Sequence, residues 1–234
     1  MKIAITGASQ GIGLAILHRL YADFPNAVFF HIGRSYIKAD RFSSGCNLYQ
    51  WQSDLSIGGN LEMICRDLKE HAVDILINNA GVMPFHKFGT VGVGEYNAVL
   101  DVNLRAPFFL SQAVIPNMPS GGKIINIASI SGSRAEADID IVEYCASKAG
   151  LIMLTKTLAK LYPDLCVNSV SPGFTYPTNL VDINQPTPEA LVQQIPKKRV
   201  ASPGEIADLV GFLCSASGDY ITGQDLIIDG GKSL

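Results

Sequence analysis

Tyr144 and Lys148, in the run Tyr144-Cys145-Ala146-Ser147-Lys148, stand four residues apart. On a helix this spacing puts phenol and ammonium on one face, about 5–6 Å apart at Cβ. A free tyrosine, with a pKa of about 10, is a poor base at neutral pH, but a fixed cation beside it favours the phenolate. Such a pair can exchange a proton with a substrate oxygen. Alone it is equally the composition of a solvated helix face.

A second group of residues has the chemistry of phosphate binding. Thr6-Gly7-Ala8-Ser9-Gln10-Gly11-Ile12-Gly13 follows an apolar run and opens a helical pattern. Backbone N–H groups at a helix N-terminus carry partial positive charge, and glycines let a pyrophosphate approach them. The spacing is G-x-x-x-G-x-G rather than G-x-G-x-x-G, so the placement between strand and helix carries the argument. A carboxylate about 20 positions further on would hold the ribose 2′-hydroxyl of NAD, whereas an arginine there would suit the 2′-phosphate of NADP. The residues that stand there are Gly33, Arg34 and Ser35. Guanidinium is suited to bidentate phosphate contact, so NADP(H) is favoured over NAD(H).

These groups need a scaffold. Short Ile-, Val- and Leu-rich runs at 2–6, 28–32, 48–51, 75–77, 123–128, 167–170 and 226–228 predict seven buried strands. Helical spacing predicts helices at 12–24, 60–70, 95–117 with a break near Pro107, 143–161 and 203–215. Alternating strands and helices, with nearly continuous apolar strands, predict an α/β fold: a doubly wound, Rossmann-type parallel sheet covered on both faces. The 234 residues are read as a single domain, 1–234. The proline-rich stretch 172–203 is its one long irregular segment, a loop with a short helix near 189–195 that is a candidate lid.

Composition excludes several classes. With 17% charged residues, a net charge of −3 and 18 scattered Lys and Arg, there is no electrostatic footprint for nucleic acid. No run approaches about 18 uninterrupted apolar residues, so no membrane span is expected. The N-terminal Met1-Lys2-Ile3-Ala4-Ile5 enters a strand pattern at once, so no signal peptide is expected and the protein is read as cytoplasmic. Five cysteines without a C-x-x-C pair suggest neither a disulfide framework nor a metal site.

The glycine loop, Asn78-Asn79-Ala80-Gly81, Ser129, Tyr144 with Lys148, Pro172-Gly173, Thr222-Gly223-Gln224 and Asp229-Gly230-Gly231 occur in this order along essentially the whole chain. In order and spacing they resemble the classical short-chain dehydrogenase/reductase family. The resemblance implies an NAD(P)-dependent oxidoreductase that moves a hydride between nicotinamide and a ketone or secondary alcohol, 3-oxoacyl or another small to medium-sized carbonyl. Tyr144 would be the acid/base, and Ser129 would polarise the carbonyl. Lys148 would lower the tyrosine pKa and bind the nicotinamide ribose, and Asn103 would hold a water that extends the proton relay. Gly7, Ser9, Gln10, Gly11, Ile12 and Gly13 would bind the cofactor together with Arg34, Ser35, Asp54, Leu55, Asn79, Ala80 and Gly81. At the nicotinamide, Pro172, Gly173 and Thr175 would join Tyr144 and Lys148, with backbone at Phe174 also available.

Position selects Met83, Phe85, His86, Ser131, Arg134, Phe174, Tyr176 and Asn179 as substrate contacts, with His86 and Arg134 offered to a carboxylate. The interval before Tyr144 carries Arg134, Glu136, Asp138, Asp140 and Glu143, where relatives more often have small and apolar residues. The family also implies a homo-oligomer, a tetramer or dimer paired through the helices near 103–117 and 143–161. Two other readings stay open: a non-catalytic, cofactor-sensing protein, and an epimerase or dehydratase on the same scaffold.

Overall fold

A computed structural model describes residues 1–38, 47–133, 139–178 and 189–234. The β-branched runs form β1 (Lys2–Thr6), β2 (Val28–Gly33), β3 (Asn47–Gln52), β4 (Ile75–Asn78), β5 (Lys123–Ile127), β6 (Cys166–Pro172) and β7 (Asp225–Ile228). All neighbours pair in parallel, in the order β3-β2-β1-β4-β5-β6-β7. Parallel neighbours need crossover connections. These are supplied by α1 (Gly11–Asp23), α2 (Gly58–Lys69), α3 (Val93–Leu100), α4 (Ala106–Val114), α5 (Val142–Leu161), α6 (Glu189–Gln193) and α7 (Pro203–Cys214).

The two-residue period of a strand divides the core. Ile3 and Ile5 pack with Ile16, Leu17 and Leu20 of α1 and with Ile206, Val210 and Leu213 of α7. Ala4, between them, turns to the opposite face and joins Leu61, Ile64 and Leu68 of α2 and Leu110 and Val114 of α4. The central strands are therefore buried on both sides, while β3 at one edge alternates exposed and half-buried positions. Local sequence sets the helix starts. In Ser202-Pro203-Gly204-Glu205 the Ser202 hydroxyl accepts from the Glu205 N–H and the Glu205 carboxylate accepts from the Ser202 N–H, a reciprocal cap with proline at the first turn of α7.

One expectation fails at Pro107. The helix does not break there: α3 runs through a π-helical turn (Asp101–Arg105) into α4, with Pro107 in the first turn of α4, and ends in a 3-10 turn (Ile115–Asn117). Proline removes one backbone donor, and the wider π turn absorbs the loss without ending the helix. The resulting 25-residue run, Val93–Asn117, is long and apolar enough by length and composition to cross a membrane. Glu95, Asp101 and Arg105 interrupt it, which is why no unbroken apolar run reveals it. Half of its most apolar window is buried within the fold, with the α4 part against α2.

Strand order reverses between β1 and β4, which lie side by side although β2 and β3 intervene in sequence. The loops after these two strands diverge to opposite faces, opening a crevice at their carboxyl ends.

Candidate active site

A cleft of about 860 Å³ occupies this crevice. The loop after β1 forms its floor. Gly7 (φ +69°) and Gly11 (φ +57°) adopt left-handed backbone, and Gln10 precedes α1 without a side-chain cap. The first N–H groups of α1 are thus left without a side-chain acceptor at a helix terminus that borders the cleft. Gly13 serves packing: a Cβ there would lie 2.4 Å from both Asn79 Nδ2 and the Gly7 carbonyl.

Asn79 fastens the loop after β4 to the loop after β1. Its Nδ2 donates to the Thr6 and Gly7 carbonyls, both at 3.0 Å. In return, Thr6 Oγ1 accepts from the N–H groups of Asn79 (3.0 Å) and Ala80 (2.9 Å). Thr6 stands outside the predicted binding residues, and its place immediately before the first glycine is the signal for it. At the far end of the cleft, Arg34 and Ser35 are exposed and line the wall with Asp54 and Leu55. Asp54 Oδ1 accepts from the Ser56 N–H (2.9 Å) and hydroxyl (2.7 Å), which holds its carboxyl below the ordinary range and fixes the turn into α2.

The residues with proton chemistry converge where β5 ends and α5 begins. Ser129 follows β5 and its Oγ caps the short 3-10 turn (Ile130–Gly132) by accepting from the Ser131 N–H. Gly132 lets that turn lie on α5, since a Cβ there would come within 2.5 Å of the Lys148 carbonyl carbon. Tyr144 projects from the first turn of α5 and lines the cleft with Ser129, whose hydroxyl eases the ionisation of the phenol. Lys148, one turn on, donates from Nζ to the Ile127 carbonyl at 2.8 Å and lies 5.6 Å from the Tyr144 ring centroid. All three line the cleft and are buried.

Burial dominates the electrostatics here. It pushes Tyr144 up to about 12, and the Ser129 hydroxyl only partly opposes it. It pushes Lys148 down to about 8. The Lys148 ammonium is turned to the Ile127 carbonyl, and burial dominates the Tyr144 phenol.

Asn103 is the remaining predicted catalytic residue. It is fully buried inside the π turn and is not among the residues lining the cleft. Its Oδ1 accepts from the Val82 N–H (2.8 Å), and its Nδ2 donates to the Val82 carbonyl (2.9 Å) and to Ser147 Oγ (3.1 Å). The side-chain amide pins the strand-to-loop turn after Gly81 to α5, and both its protons are spent.

Beyond β6, Gly173 is required by close approach, since a Cβ would lie 2.7 Å from Asp229 Cβ. The Phe174 carbonyl accepts from the Ala201 N–H and the Tyr176 N–H donates to the Ala201 carbonyl. Thr175 between them keeps its own backbone groups for the other side, while its hydroxyl donates to the Gly173 carbonyl at 3.0 Å. Of the substrate candidates, Met83, Phe85, His86, Ser131, Phe174 and Tyr176 line the cleft. Arg134 and Asn179 lie outside the described residues. His86 is committed elsewhere than expected: its Nδ1 lies 2.5 Å from Oε1 of the buried Glu143 carboxylate, so a substrate carboxylate is not its first partner.

Comparison with known proteins agrees with this architecture. The profile of the family described as "Enoyl-(Acyl carrier protein) reductase" (adh_short_C2) matches residues 7–233. The 3-oxoacyl-[acyl-carrier-protein] reductase FabG of Rickettsia bellii (strain RML369-C) is 34% identical over 244 residues, covering 98% of this chain and 95% of the relative. Among solved structures, a blue fluorescent protein from a metagenomic library in complex with NADPH is 31% identical with a TM-score of 0.88, covering 100% of this chain and 98% of that one. A 4-hydroxyisoleucine dehydrogenase complexed with NADH is 29% identical with a TM-score of 0.89, covering 99% and 98%. With the sheet order, the glycine loop and the Ser129, Tyr144 and Lys148 cluster in place, the chain belongs to the classical short-chain dehydrogenase/reductase family of NAD(P)-dependent oxidoreductases.

Proposed function

We propose that this chain reduces a ketone on a small to medium-sized substrate, with NADPH the preferred hydride donor and Tyr144 the proton donor. The reading rests on one observation: Ser129, Tyr144 and Lys148 share one cleft with the glycine loop. When bound, the reduced nicotinamide supplies the hydride. As negative charge builds on the carbonyl oxygen, Ser129 and Tyr144 are already aimed at it, and preorganised donors cost no rearrangement at that moment. A phenol pushed up to about 12 holds its proton at neutral pH and is available to donate it as charge builds on the oxygen. Lys148, pushed down to about 8, is still largely a cation at neutral pH and is available to the nicotinamide ribose.

NADPH is preferred because the exposed Arg34 and Ser35 stand where a 2′-phosphate would fall, with no carboxylate in their place to repel it. The two structural relatives above carry NADPH in one case and NADH in the other, so this preference rests on Arg34. Phe174, Tyr176 and Thr178 line the cleft from the segment after β6, which supports its reading as a substrate loop. Assembly as a dimer or tetramer is supported by exposed Phe108 and Phe109 on α4 and Met153 on α5, and light scattering measures it. A panel of ketones with NADPH and NADH tests the reaction. Oxidation of NADPH in step with ketone loss is expected, and no turnover of any ketone with either coenzyme overturns the reading.

A further inference from the structure

The pair His86 and Glu143 is used by neither hydride transfer nor coenzyme binding. Glu143 sits in the first turn of α5 beside Tyr144, with its side chain 2% exposed. Oε1 meets His86 Nδ1, and Oε2 is buried with no hydrogen-bond partner. Among the described residues Glu143 has no ion-pair partner besides this ring. The backbone joins the same segments, as the His86 N–H donates to the Asp140 carbonyl at 3.1 Å. The ring is a quarter exposed and lines the same cleft as Met83, Val99, Ile141 and Tyr144.

With Glu143 ionised, its carboxylate can only accept, which places the shared proton on His86 Nδ1. A neutral imidazole then carries its lone pair on Nε2, at the opposite corner of the ring. From this arrangement we infer that His86 Nε2 accepts a hydrogen bond from a substrate hydroxyl, and that the preferred substrates are hydroxyketones rather than plain ketones or oxo acids. The inference rests on the reductase reading above and specifies its substrate class. Glu143 is the positioning residue: it selects the tautomer and adds buried negative charge behind the ring. A substrate carboxylate would meet that charge as a like charge, whereas a hydroxyl brings the proton that Nε2 lacks.

The test uses three ketones of equal chain length: a plain ketone, one with a hydroxyl two carbons from the carbonyl, and the corresponding oxo acid. For the wild-type protein, kcat/KM for the hydroxyketone should exceed that for the plain ketone by about tenfold, mostly in KM, as one hydrogen bond supplies. The oxo acid should be the poorest of the three. His86→Phe should bring the ratio of hydroxyketone to plain ketone close to one, and Glu143→Gln should lower it, with a fluorescence titration of NADPH confirming that both variants are folded. Equal use of the first two ketones, preference for the oxo acid, or a hydroxyl preference that survives His86→Phe overturns the inference alone. Turnover of none of the three with either coenzyme overturns the reductase reading and the inference with it.

Discussion

The two ends of the cleft are built on opposite principles. At the end of β5, Ser129, Tyr144 and Lys148 are 8%, 5% and 3% exposed, and Lys148 is held by the Ile127 carbonyl, 21 positions away. At the end of β2, Arg34 and Ser35 are exposed, and the Arg34 contact that the fold fixes is its carbonyl, which accepts from Gln52 Nε2. Burial at the first end moves proton affinities and ties chemistry to the fold. Exposure at the second leaves a side chain that can be exchanged at little structural cost, with its charge screened by water and salt. The reaction is thus committed where it is costly to alter, and coenzyme choice sits where it is cheap.

Substitutions can break this contrast. The largest effect is expected for Tyr144→Phe: turnover falls at least about a hundredfold, the size of a general-acid contribution, while coenzyme affinity stays near wild type. Retained turnover measured by coenzyme absorbance would remove Tyr144 from its role. Next comes Gly13→Ala. The added methyl meets Asn79 Nδ2 and the Gly7 carbonyl, both fixed by the loop, so stability should drop by about 1–3 kcal/mol, read in a denaturant titration. A variant as stable as wild type would show that the floor of the cleft yields more easily than its hydrogen bonds imply.

At the exposed end, Arg34→Ala should weaken NADPH by about tenfold and leave NADH nearly unchanged, since one charge-assisted phosphate contact is lost. Equal losses for both coenzymes, measured by calorimetry, would reassign that residue. The smallest effect is in pH. Burial lowers Lys148 to about 8, so its cation is lost as pH rises through that value, while Tyr144 at about 12 stays protonated. Accordingly kcat/KM for the coenzyme, which reports the free protein, should be halved near pH 8 and keep falling above it. A flat profile to pH 10 would mean that the Lys148 charge is not needed.

Much of this molecule is legible from local pattern. The seven strands appear within a residue or two of their expected bounds, because β-branched runs flanked by turn residues report burial directly. The glycine loop, Asn79, Ser129, Tyr144 and Lys148 all line one cleft, as their order along the chain implied. What local pattern could not carry were the pairings. His86 with Glu143 spans 57 positions, and Asn103 with Val82 spans 21. Pro107 was read as a break because its missing donor is a local fact, whereas the packing that lets a π turn absorb it is not.

The sequence by itself determined the parallel α/β architecture, the hydride-transfer class and the residues able to carry it. The architecture follows from periodicities within a few residues of one another, where backbone geometry alone sets what can meet, and the reaction class with its residues follows from the resemblance of the ordered motifs to the family. Only the tertiary structure decided that Asn103 spends its amide on the Val82 backbone, that His86 faces a buried carboxylate, and that desolvation leaves Tyr144 an acid. Those outcomes depend on which distant groups are brought together out of water, and the free energy of a buried polar group is set by its partners rather than by its own type.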